Sequence, residues 1–168
     1  VHNKIDWNVP ARVWGYGTDG LGCGGGTGQN NTFFSTNNID VTKTFRMEVE
    51  VKKNESEKYV LTYSIYNTQS EKVTVASGEL KDSYTGGRFG LMTYSSGAKF
   101  TNITLDDEKY GALTDIENGK KIHGVNGDAH VLTNVSMEAG KGFTYESDIK
   151  LAAGGTSAAL TFGIAETS

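Results

Sequence analysis

The sequence predicts an all-β protein with its strands stacked as a sandwich. Three observations lead there: apolar and polar residues alternate with period two in segment after segment, turn residues recur at short intervals, and no stretch carries three turns of helical periodicity. The chain has 168 residues, with 22 Gly, 1 Pro and 1 Cys. It is long enough to bury a sizeable core without metals or disulfides, and a lone Cys23 cannot form an internal bridge.

The elements follow in chain order. Phe45, Met47, Val49 and Val51 fall on one face of a strand, with Arg46, Glu48, Glu50 and Lys52 on the other. Tyr59–Tyr66 reads as its partner across the polar loop Asn54–Glu57. Lys72–Gly78 is a third strand and Arg88–Tyr94 a fourth. Ser95-Ser96-Gly97 turns the chain into Ala98–Leu105, and Asp106–Lys109 is a charged break. His130–Thr133, Phe143–Leu151 and Ala158–Ile164 complete the set, the last two joined by a turn at Gly154-Gly155. The strand at 45–52 also echoes the one at 143–150, as two equivalent strands of a sandwich would, and as any two alternating strands can by chance.

Charge and hydropathy exclude whole classes of function. A net charge of −4 and a pI near 5.4 leave no basic face for nucleic acid. No apolar run reaches the roughly 20 residues of a spanning helix, so no membrane role is expected. The chain opens on Val1 and reads as a piece of something longer.

Residues 15–31 hold eight glycines and no strand pattern. They read either as a surface loop or as a binding loop that needs close backbone approach. No G-K-[ST] follows, so this is not a phosphate loop. His2, His123 and His130 show no metal-ligand spacing, and no Ser lies in a nucleophile motif. Asn30, Asn54, Asn102 and Asn134 each open an N-x-[ST] sequon, which matters only in a secretory pathway that glycosylates.

Gly87–Tyr94 followed by Ala98–Ile103 resembles the closing strands of concanavalin-A-like sandwich modules. Phe143–Leu151 followed by Ala158–Ile164 resembles an early hairpin of the same modules, preceded by Gly127-Asp128-Ala129-His130. The subset most similar is the carbohydrate-binding modules of bacterial levanases and other family 32 fructan hydrolases. The resemblance implies a jelly-roll β-sandwich of two antiparallel sheets. It further implies a non-catalytic module binding polysaccharide or oligosaccharide, with levan the leading ligand, tethered to catalytic or repeat domains outside the cell or at its surface.

The order of segments departs from the family, because the opening segment sits at 110–164, after the closing one at 87–105. A circular permutation, a cut across two tandem modules near 106–110, or an unusual numbering of a broken chain would each account for this. The length suits one complete module over 1–168. The family also carries Arg where Gly163 follows Phe162.

Sugar recognition needs aromatic faces and planar polar groups. The candidate binding residues are Arg12, Trp14, Tyr16, Tyr94, Asp128, Glu146 and Asp148, with Trp7 and Arg88 in reserve. Arg12, Trp14 and Tyr16 share one strand face next to the Gly-rich stretch. Glu146 and Asp148, at i and i+2, share another, with carboxyl groups roughly 5–7 Å apart. That spacing resembles the Glu-x-Asp start of a retaining glycosidase site on a related sandwich, so a glycosidase or lyase is the first alternative. Lys150 stands where a third carboxylate would be needed, and Glu48 and Glu50 show the same spacing. An adhesive or structural module with a protein partner is the second alternative. No cofactor is expected; a structural calcium is the one ion the acid excess permits, with Asp19, Asp40, Asp106, Asp107 and Asp128 as candidate ligands.

Overall fold

The structure is a computed structural model that describes residues 2–6, 9–14, 35–40, 42–79, 87–94, 97–105, 108–109, 112–113, 116–117, 121–123, 128–137, 141–152 and 157–164. Helix among these is limited to Ser35–Thr36. The described strands are β1 (His2–Asp6), β2 (Val9–Trp14), β3 (Phe45–Lys53), β4 (Tyr59–Tyr66), β5 (Lys72–Glu79), β6 (Gly87–Tyr94) and β7 (Gly97–Leu105). They continue with β8 (Glu108–Lys109), β9 (Ala112–Leu113), β10 (Ile116–Glu117), β11 (Lys121–His123), β12 (Asp128–Met137), β13 (Phe143–Leu151) and β14 (Ser157–Ile164). In β1, β2 and β8 to β12 the backbone course alone is described.

The protein is all-β and its sheets are antiparallel. A first sheet runs β12-β6-β14-β1-β2 and a second runs β11-β7-β13-β3-β4-β5, with β8 also on β7; β9 and β10 pair with each other. Strands from both halves of the sequence interleave. β13 lies between β7 and β3, and β14 lies between β6 and β1.

Alternation sets which faces turn inward. Phe45, Met47, Val49 and Val51 of β3 are buried, as are Leu61, Tyr63 and Ile65 of β4. They join Phe143, Tyr145 and Ile149 of β13 in one core cluster with Phe89, Leu91, Leu160 and Phe162 of the first sheet. Phe89 meets Phe143 edge-on with centroids 4.9 Å apart, and Phe143 meets Phe162 at 5.1 Å. The Tyr145 hydroxyl donates to the Gly90 carbonyl at 2.9 Å, so this buried polar atom is satisfied across the two sheets. The two sheets therefore share a core in a sandwich-like arrangement.

One local connection differs from its sequence reading. Phe143–Leu151 and Ala158–Ile164 are not a hairpin: β13 belongs to the second sheet and β14 to the first. β6 and β7 likewise lie in different sheets, although only two residues separate them. A short turn joins neighbours in sequence, but burial of two hydrophobic faces against each other favours strands that change sheet. The two echoing segments, by contrast, are direct neighbours, with Phe143 opposite Val51 and Ile149 opposite Phe45.

The β3–β4 hairpin forms as its loop composition predicts. Asn54 Oδ1 accepts from the amides of Ser56 and Lys58 at 2.9 and 3.0 Å, and Glu57 takes a left-handed φ of 59°. At the start of β13, Gly142 has no room for a side chain. A Cβ there would sit 2.5 Å from the Val51 backbone oxygen, which cannot swing aside.

Candidate functional site

The outward face of the second sheet carries a continuous polar array. Pairing places Asp148 opposite Arg46 and Glu146 opposite Glu48, with Glu146 also opposite Thr104 of β7. Arg46 Nη1 lies 2.9 Å from Asp148 Oδ1, and Arg46 Nη2 lies 3.3 Å from Glu146 Oε2. One guanidinium thus bridges both carboxylates on the neighbouring strand. Thr104 accepts from Arg46 and donates to Glu146, both at 3.3 Å. Burial alone would pull the Arg46 guanidinium down, but its bonds to Asp148 and Glu146 outweigh that and hold it above the usual arginine value.

A bulge aims one further side chain into this array. Between Glu146 and Asp148 the register of β7 slips by a residue, and Asn102 there adopts φ 48°. Asn tolerates the left-handed region better than most residues, and the kink brings its amide to Asp148 Oδ2 at 2.7 Å.

Glu48 is the exception to the outward rule, because it is only 3% exposed. The Tyr66 hydroxyl donates to it at 3.0 Å and Lys72 Nζ lies 2.9 Å from it. These partners make burial of the charge tolerable where Glu146 stands directly opposite. Desolvation first, then the charge and hydrogen bond of Glu48, with a further contribution from Glu146, push the Tyr66 phenol far above its usual value. The bond to Glu48 raises Lys72 as well, against a smaller opposing effect of burial.

Beside the array opens a cleft of about 620 Å³, whose walls include Arg46, Tyr66, Asp148, Asp40, Lys43 and Thr68. Its far side is made by the loop before β3 and the turn after β4. The Thr68 amide donates to the Asn38 carbonyl at 2.9 Å, tying the two together. Asp40 Oδ1 accepts from the Thr42 hydroxyl at 2.6 Å and from its amide at 3.0 Å, and Lys43 Nζ lies 3.3 Å from Asp40 Oδ2. The bonds from Thr42 first, with Lys43, hold the Asp40 carboxyl below its usual range. Lys150 donates to the Thr42 carbonyl and secures the loop from β13.

The sequence-predicted site residues fall in separate places. Glu146 and Asp148 are together, at the array. Arg12 and Trp14 lie on β2 at the edge of the first sheet, with Trp14 opposite His2. Tyr94 and Asp128 face each other in register between β6 and β12, toward the other edge of that sheet. β2 and β6 are three strand spacings apart, roughly 14 Å. Tyr16 and Trp7 lie outside the described residues, as do Asp19, Asp106 and Asp107 among the calcium candidates. Among the described residues no group of three or more His, Cys, Asp or Glu could hold a metal ion.

Sequence reasoning missed Arg46, Tyr66, Asn102 and Thr104. The outward position of Arg46 was readable from alternation, and the echo of its strand in β13 was visible, but pairing across 100 residues was not. No protein-family model and no curated protein matches this chain.

Proposed function

We propose that the chain is a non-catalytic carbohydrate-binding module on a concanavalin-A-like jelly-roll sandwich. Its site is the outward face of the second sheet, and the observation that carries this is the Arg46–Glu146–Asp148 fork opening onto the cleft beside Tyr66. Sugar hydroxyls come in vicinal pairs, and planar amide, carboxylate and guanidinium groups held at fixed spacing match them. Tyr66 adds an aromatic edge at the cleft, and the Asn102 amide holds Asp148 in place from the neighbouring strand. The array is already hydrogen-bonded within itself, so little side-chain ordering is required on binding. Tethered to other domains, such a module raises the local concentration of polysaccharide through modest single-site affinity. Fructan, levan above all, is the leading ligand through the resemblance of 87–103 and 127–164 to the modules of levanases.

The glycosidase alternative fits this geometry less well. A general acid must present a carboxyl group to the glycosidic oxygen, whereas Arg46 already binds both Glu146 and Asp148.

Calorimetric titration with levan, inulin, β-glucan and xylan tests the reading. We expect heat with at least one polysaccharide, a tenfold or greater weakening in Asp148→Asn (about one lost charge-assisted bond), and no release of reducing sugar. Silence with every glycan from folded protein overturns the module reading, and turnover lost in Glu146→Gln restores the enzyme.

A further inference from the structure

The cleft is larger than the polar fork that opens into it. Its volume of about 620 Å³ lies within the roughly 300–1,000 Å³ of sites that enclose a drug-sized ligand, a size class that includes di- and trisaccharides. Arg46 and Asp148 close one end, while Lys43, Thr44, Thr68 and Ser70 extend it beyond the ends of β3 and β4. Lys43 stands three residues before Arg46, ahead of the start of β3.

The lining is charge-balanced. Lys43 is paired with Asp40 and Arg46 with Asp148, so each cation in the wall already has its acid. An anionic ligand would have to break one of these pairs, whereas a neutral ligand leaves both intact. The hydroxyls of Thr44 and Thr68 are exposed and have no side-chain hydrogen bond among the described residues, so they are ready for a hydroxylated ligand. The walls that carry them are braced. Asn67 Oδ1 accepts from the amides of Gln69 and Glu71 at 2.9 Å, and the Thr68 amide is bound to Asn38. A preformed wall binds without the cost of ordering a loop.

We propose that the cleft holds a run of two or three neutral sugar units, the unit beyond the Arg46 fork being bound by the hydroxyls of Thr44 and Thr68. The proposal rests on the carbohydrate-binding reading and adds a second subsite, a length requirement and a charge class to it.

The test is titration of the full chain with fructose, levanbiose and levantriose, and in parallel with glucose, laminaribiose and laminaritriose. In the series that binds, the trisaccharide should bind at least tenfold more tightly than the monosaccharide. The double variant Thr44→Val/Thr68→Val, which keeps side-chain volume, should lose about tenfold on the trisaccharide and nothing on the monosaccharide. An unchanged thermal midpoint of the variant ties that loss to the subsite, and Thr68→Val alone, with a smaller loss, serves if the double variant unfolds. Affinity indifferent to chain length, or a double variant that binds trisaccharide like the parent, overturns the second subsite while leaving the module reading standing. Tighter binding of trigalacturonic acid than of the neutral trisaccharides overturns the charge class. Silence of both series overturns the subsite, and the module reading falls with it only if levan, inulin, β-glucan and xylan are silent as well.

Discussion

The outward faces of the two sheets are ordered by opposite means. On the first sheet, Met92, Ala159 and Thr161 point away from the shared core yet are 2%, 0% and 0% exposed. They are apolar or small, and residues 89–93 and 158–162 are therefore buried on both faces. On the second sheet the outward positions of β3 and β13 are Arg46, Glu48, Glu146 and Asp148, and the side chains of Arg46 and Asp148 are each 25% exposed. There the acids and cations neutralise one another, and Glu48 goes dry only because Tyr66 and Lys72 reach it. The contrast teaches that burial and polarity are separable along one fold. A face can be closed by covering apolar side chains, or kept open and ordered by pairing charges.

Changing one outward residue on each sheet sharpens this contrast. Met92→Lys places an unpaired ammonium on a face with no water, and should cost about 4 kcal/mol, read as a fall in the urea midpoint at unchanged slope. A loss below about 1 kcal/mol would show that this face opens readily. Arg46→Met is gentler, because its partners are part-exposed: we expect about 2 kcal/mol from leaving Glu146 and Asp148 side by side without their cation. Tyr66→Phe is the smallest, about 1 kcal/mol at neutral pH for one hydrogen bond to a carboxylate.

The same tyrosine gives the face a pH signature. Its folded value is raised above the unfolded one near 10, so the stability it contributes is present below pH 10 and is lost as pH rises beyond it. Tyr63 and Tyr145 are raised too, through desolvation in the core, and follow the same sign. Alkaline denaturation followed at the tyrosinate absorbance should therefore begin above pH 10, with a shallower slope in Tyr66→Phe.

Much of the strand content was legible because burial follows period two: Phe45 to Val51 and Phe143 to Ile149 announce their inward faces residue by residue. Pairing was not legible, since alternation identifies a strand without naming its neighbour. That is why β13 and β14 read as a hairpin, and why the burial of Glu48 on the polar face of its strand was not readable. Within the candidate site, Glu146 and Asp148 were recognisable from their i, i+2 spacing. Their cation lies 100 and 102 residues away, and the bulge that delivers Asn102 leaves no local mark beyond an Asn in a strand.

The interleaving of β13 and β14 also carries a kinetic consequence. Each is an interior strand of its sheet, flanked on both sides by segments that precede it in the chain. Until residues 143–164 emerge from the ribosome, β3 and β7, and likewise β1 and β6, have an empty lane between them. The nascent protein must wait with open strand edges, and assembly becomes a late, concerted closure dominated by distant contacts. For a chain of this topology, residues 143–164 are the part that joins the strands made before them into sheets.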